Sequence, residues 1–197
     1  MRGGRVRASW LLAACLLAGP QILATTVLQM NLEGLCERSD KIFRGTVIHI
    51  SEGSVALGGA EIPTVKYTIR VDDALKGTYS DEKGVPIAEI EMIGKMKPVK
   101  VGEATLMPAV PDMPSLQIGH DYLLFTTPPS EVGLSTTVGL GQGSFQITGK
   151  PGEEEAVNAL GNVGLFSGMP ATEGFESGRP LNYGRLAGRI RVILGQE

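Results

Sequence analysis

Apolar and polar side chains alternate most strictly in "VKYTIRV", where Val65, Tyr67, Ile69 and Val71 are separated by Lys66, Thr68 and Arg70. A period of two puts one set on a buried face and the other in water, which predicts a strand. The preceding "KIFRGTVIHI" concentrates β-branched residues. Ile42, Thr46, Ile48 and Ile50 share a parity there, and Gly45 marks a bulge. Between these two strands the polar, glycine-rich stretch reads as a gap. "IAEIEMIG" predicts a third strand, and "DYLLFTT" a fourth that is apolar on both faces at its centre. Helical spacing occurs near the two ends. Leu32, Leu35, Cys36 and Ser39 follow Asn31, a candidate N-cap. In "LNYGRLAGRIRVIL", Tyr183, Leu186, Ile190 and Ile193 form one stripe, with Arg185, Arg189 and Arg191 off it. Gly184 and Gly188 each weaken that helix by about 1 kcal/mol, so it depends on docking.

Helix, several short strands and a final helix make up a mainly β fold: a small antiparallel OB-like (Greek-key) barrel with a short N-terminal helix and a C-terminal helix. Residues 25–148 are assigned to the barrel. Residues 149–197 form a glycine-rich, acidic segment followed by the amphipathic helix, with Glu153, Glu154 and Glu155 as a solvated turn and residues 160–166 as a short hydrophobic patch.

Residues 1–24 have the layout of a secretory signal peptide and stand outside the fold. Arg2, Arg5 and Arg7 precede an uncharged, mostly apolar run too short to span a bilayer as a helix. Cleavage after Ala24 is one reading. The other takes Leu12-Ala13-Ala14-Cys15 as a lipobox that would tether the protein through lipid on Cys15; the apolar run continuing to Leu17 favours the first. The expected location is therefore secreted or periplasmic. Loss of the leader removes three arginines and no acid, moving the formal charge from −3 to −6. A mildly acidic domain lacks the basic face that nucleic acid requires. No later stretch is long and apolar enough for a transmembrane helix. Cys36 is then the sole thiol, read as a small buried side chain.

"VGLGQGSFQI" resembles a phosphate-binding loop at first sight. Such a loop must lead into a helix whose N-terminal amides meet the phosphate. Here Gly139, Gly141 and Gly143 lead into "SFQIT", an alternating strand. The glycines are better explained as a bend that returns the chain to the sheet. His49 and His120 are the two histidines, far apart and without metal-ligand spacing. His120 and Asp121 are neighbours at a strand start and point to opposite faces. The sequence thus predicts no catalytic residue, cofactor or metal site, which favours a non-enzymatic protein; a hydrolase built around His120, Asp121 and the acidic turns is the weaker alternative.

The longest irregular stretch, residues 95–119, carries Pro98, Pro108, Pro111 and Pro114. Its Lys95, Lys97 and Lys100, with Met96, Met107 and Met113, combine positive charge with adaptable apolar side chains and are the candidate partner-binding residues. The expected partner is a protein.

"LCERSDKIFRGTVIHI", "VKYTIRVDDALKG" and "IGHDYLLF" in succession resemble the netrin-like modules, the OB-fold superfamily of the tissue inhibitors of metalloproteinases. Cys36, Ser39-Asp40, Gly45, Val47, Leu75-Lys76-Gly77, Gly119 and Tyr122-Leu123 carry the likeness, over about residues 27–148. With "GLGQGSF", the chain also looks like secreted bacterial proteins of that type. The resemblance implies an OB-like barrel and, as an alternative function, inhibition or chaperoning of an exported metalloprotease. In the inhibitors an N-terminal cysteine, braced by disulfides, presents its amine and carbonyl to zinc. A chain starting at Thr25 has neither, so zinc chelation does not carry over.

Overall fold

The computed structural model describes residues 28–94, 99–101, 104–106, 113–170 and 174–196; residues 1–24, read from the sequence as a signal peptide, and Cys15 among them lie outside these. In chain order the elements are α1 (Leu32–Arg38), β1 (Lys41–Leu57), β2 (Ala60–Lys76), β3 (Ser80–Glu82), β4 (Val85–Ile93), β5 (Val99–Val101), β6 (Ala104–Leu106), β7 (Asp121–Thr126), a 3-10 turn at Leu140–Gly143, β8 (Ser144–Thr148), β9 (Glu155–Asn158), β10 (Leu181–Asn182) and α2 (Tyr183–Ile193). Eight strands form one sheet in the order β10-β9-β8-β7-β1-β2-β4-β3, and β5 pairs with β6 separately. Every pairing is antiparallel. The run β7-β1-β2-β4 is a Greek key: β7 returns by a long connection to lie beside β1. That connection contains residues 95–119, so part of its length is a topological requirement. The fold is mainly β and barrel-like with a helix near each end, as expected, and the sheet is not closed. A backbone bond from Ser135 N to Glu91 O (2.8 Å) reaches from the segment after β7 to β4.

Each face of the sheet carries a buried core. Phe43, Val47, Tyr67, Ile69, Val71, Ile90, Met92, Tyr122 and Leu124 form the core on the barrel side. Ile42, Leu75, Leu123, Phe125, Phe145 and Ile147 form the other, covered by Leu32, Leu35 and Cys36 of α1 and Leu186, Ala187 and Ile190 of α2. Consecutive residues of β7 alternate between the two cores, which accounts for its apolar run. Asn31 caps α1 through Oδ1, accepting from Gly34 N (2.9 Å).

β1 departs from its expected parity. Its pairing with β2 shifts register between Ile42 and Phe43, between Arg44 and Gly45, and between Val47 and His49. The extra residue is Leu75 and then Asp72 of β2 at the first two shifts, and Ile48 of β1 at the third, where it turns the following β1 side chains to the other face. Ile42 lies in the helix-covered core, whereas beyond the Ile48 bulge Ile50 packs against the barrel-side core, and Ile48 itself is 46% exposed. Gly45 is required: a Cβ there would collide with Arg70 O across the ladder.

The stretch read as a polar gap is a hairpin. β1 and β2 run 17 residues each, and Gly58 and Gly59 supply the two positive φ angles (58° and 82°) of a two-residue turn. β7 pairs only with residues 41–46 of β1, and β4 with residues 64–70 of β2, so the far half projects as a two-stranded ribbon.

The glycine turn at 139–143 returns the chain to the sheet as β8. Gly139 is left-handed (φ 64°), and a Cβ on Gly143 would strike Val138 O. The turn also buries Gln142, whose Nε2 donates to Leu28 O (3.1 Å) and whose Oε1 accepts from Met30 N (2.8 Å). It clamps the incoming N-terminal segment. Beyond residue 148, β9 and β10 extend the same sheet, and Ala156, Leu165 and Leu181 join the helix-covered core.

Candidate functional site

The connection between β4 and β7 is fixed at both ends to the root of the ribbon. At its start, Gly94 N donates to Pro63 O of β2 (2.8 Å). At its end, Gly119 N donates to Val47 O of β1 (2.8 Å) and Val47 N to His120 O (3.1 Å). Its two ends are thus attached to both strands of the ribbon where the main sheet stops. Of the candidate residues, Lys95, Met96, Lys97 and Met107 lie outside the described residues. Lys100 is the middle residue of β5. Met113 packs against the barrel-side core, and Thr136 Oγ1 donates to its Sδ (3.6 Å). Leu116 is buried beside it. Gln117 N donates to the Tyr122 hydroxyl (3.2 Å), and burial raises the pKa of that phenol against the effect of this bond. Met113 and Leu116 therefore anchor the last third of the connection, with the β5–β6 hairpin earlier in the chain.

A second polar cluster lies at one end of the helix-covered face, centred on Arg44. Its Nη2 pairs with Asp121 Oδ2 (3.1 Å) and its Nη1 with Glu154 Oε1 (3.2 Å), and the guanidinium carbon lies 4.8 Å from the centre of the Tyr183 ring. Thr46 Oγ1 donates to Asp121 Oδ1 (2.7 Å) and accepts from Arg70 Nη2 (2.9 Å), while Arg70 Nε pairs with Asp72 Oδ1 (2.8 Å). Burial opposes the charge on Asp121. Hydrogen bonds from Thr46 and Arg44, and the charges of Arg44 and Arg70, nevertheless hold its carboxyl below the usual carboxylate range. Burial likewise opposes the charge on Arg44, and its two carboxylate partners outweigh it. Glu154, read from sequence as part of a solvated turn, is thus a cross-sheet partner. Nothing in the local sequence signals this, because Arg44 is 110 residues away.

The cluster fastens β1 to β7, to the segment before β9 and to α2. His120 does not join it. Asp121 faces Arg44 and Thr46, whereas His120 Nδ1 lies 3.2 Å from Gln146 Nε2. Among the described residues no group of three or more His, Cys, Asp or Glu side chains converges as metal ligands, and no helix is long and apolar enough to cross a membrane. No protein-family model matches the sequence, and no curated protein is significantly similar to it.

Proposed function

We propose that this protein is an exported, non-catalytic OB-like module that binds a protein partner through the connection at residues 95–119 and the barrel surface beside it. The observation that carries the reading is the anchoring of that connection at Pro63, Val47 and Met113. A segment fixed at both ends and carrying a hairpin loses less conformational entropy on binding than a free loop of equal length. The lysines and methionines of the sequence give it charge and adaptable apolar surface. Export follows from the leader.

The test places a photo-crosslinking amino acid at Lys100, and separately at Asp81 on the edge strand β3, in protein incubated with the exported fraction of the source organism. A discrete adduct is expected from Lys100 and not from Asp81. It should vanish when residues 95–112 are replaced by a short glycine-serine link that leaves the far-UV spectrum and the melting temperature unchanged. Equal adducts from both positions, or none from either, would remove the assignment.

A further inference from the structure

The ribbon offers an open strand edge. Residues 48–57 of β1 pair with β2 on one side, and among the described residues no backbone bond meets them on the other. At about 3.3 Å per residue this edge is roughly 30 Å long. Exposed edges of that length invite further strands, and proteins usually blunt them with lysine, proline or short strands. Residues 48–57, "IHISEGSVAL", contain no lysine, arginine or proline. The bulge at Ile48 marks where the edge begins.

The two faces of the ribbon differ. Glu52 stands opposite Val65, and Glu61 opposite Ala56. Directly paired residues share a face, so both carboxylates lie on the side of Ile50, and neither has an ion pair among the described residues. Val55, Ile62 and Leu57 lie on the other side, and Leu57 is 50% exposed. We infer that the free edge of β1 is a strand-addition site for an extended segment of a partner protein that alternates basic and apolar residues. Resting on the binding-module reading above, this specifies how the partner is held: main-chain bonds along the edge give affinity, and the acidic and apolar faces give register. The free carboxylates Glu52 and Glu61 oppose a second copy of the same edge and favour a basic strand.

The test uses the full chain from Thr25 and two ten-residue peptides, one alternating lysine and valine, the other glutamate and valine. NMR amide exchange reads the binding site. With the lysine peptide, alternate amides within residues 48–57 should exchange at least about tenfold more slowly, and those of residues 60–66 should not change. Methylating the edge-facing amides of the peptide should abolish the protection. The pair Glu52→Lys and Glu61→Lys should reverse the preference to the glutamate peptide. Protection elsewhere, equal binding of both peptides, or a dimer formed through this edge would overturn the inference. A partner still crosslinked at Lys100 when the edge fails these tests leaves the binding-module reading standing, whereas loss of that adduct alone removes the reading and spares the edge.

Discussion

Arg191 of the C-terminal helix reaches Asp73 of β2, its Nη2 lying 2.8 and 2.9 Å from the two carboxylate oxygens. The same carboxylate accepts from the Tyr183 hydroxyl at 2.7 Å. One β2 side chain thus binds both ends of α2. Arg191, which lies off the apolar stripe of the helix, therefore has a specific partner across the fold.

Removing the hydroxyl in Tyr183→Phe should lower unfolding free energy by about 1.5 kcal/mol, the usual worth of a bond to a charged group. Urea denaturation of Tyr183→Phe, Asp73→Asn and the double variant should show losses that fall short of additive by at least about 0.5 kcal/mol, because both act on one carboxylate. Strict additivity would count against the coupling.

Asp121 titrates below its unfolded value, so its contribution is complete above about pH 4 and is lost as pH falls through the folded value. Arg44 remains charged throughout. The stability gap between the natural chain and Arg44→Met should therefore be widest near neutrality and narrow below about pH 4. Thermal melts from pH 7 to pH 2.5 would reveal this, and a gap independent of pH would contradict it.

Two glycines should respond in opposite directions to alanine. At Gly188 an added Cβ meets nothing within 4 Å, so Gly188→Ala should stabilise α2 by up to about 1 kcal/mol. At Gly45 the Cβ would meet Arg70 O, so Gly45→Ala should cost at least about 2 kcal/mol. Chemical denaturation of the two variants provides the comparison.

The Cys36 thiol is 1% exposed, and burial pushes its pKa up to about 12 despite the nearby Lys76. Iodoacetamide at pH 8 should leave it unmodified in the native protein and label it once urea unfolds the chain. Rapid native labelling, read by mass spectrometry, would place the residue at the surface.

Periodic signals survived into the structure where one strand or helix carried them alone. Tyr67, Ile69 and Val71 are buried in strict alternation, and Tyr183, Leu186 and Ile190 form the predicted stripe. The parity of β1 was misread because the strand has an extra residue at Ile48, which its side-chain chemistry does not announce; at Gly45 the extra residue is Asp72 of β2. The ribbon was misread as a gap because its exposed, two-sided strands have no buried face to set a period. Gly58-Gly59 was the available signal, a hairpin pair between short apolar runs. Gln142 and Glu154 were illegible for another reason. Their partners, Met30 and Arg44, are 112 and 110 residues distant, and such contacts exist only after the Greek key closes.

The helix-covered core brings Leu32 and Leu35 from one end of the chain onto Leu186 and Ile190 from the other, with Phe125 and Phe145 between them. Half of the protein's interior therefore cannot assemble until the final helix has been synthesised. A high contact order slows folding because long loops must close before their contacts repay the entropy. Until α2 docks, the helix-covered face of the sheet therefore lacks part of its second covering layer.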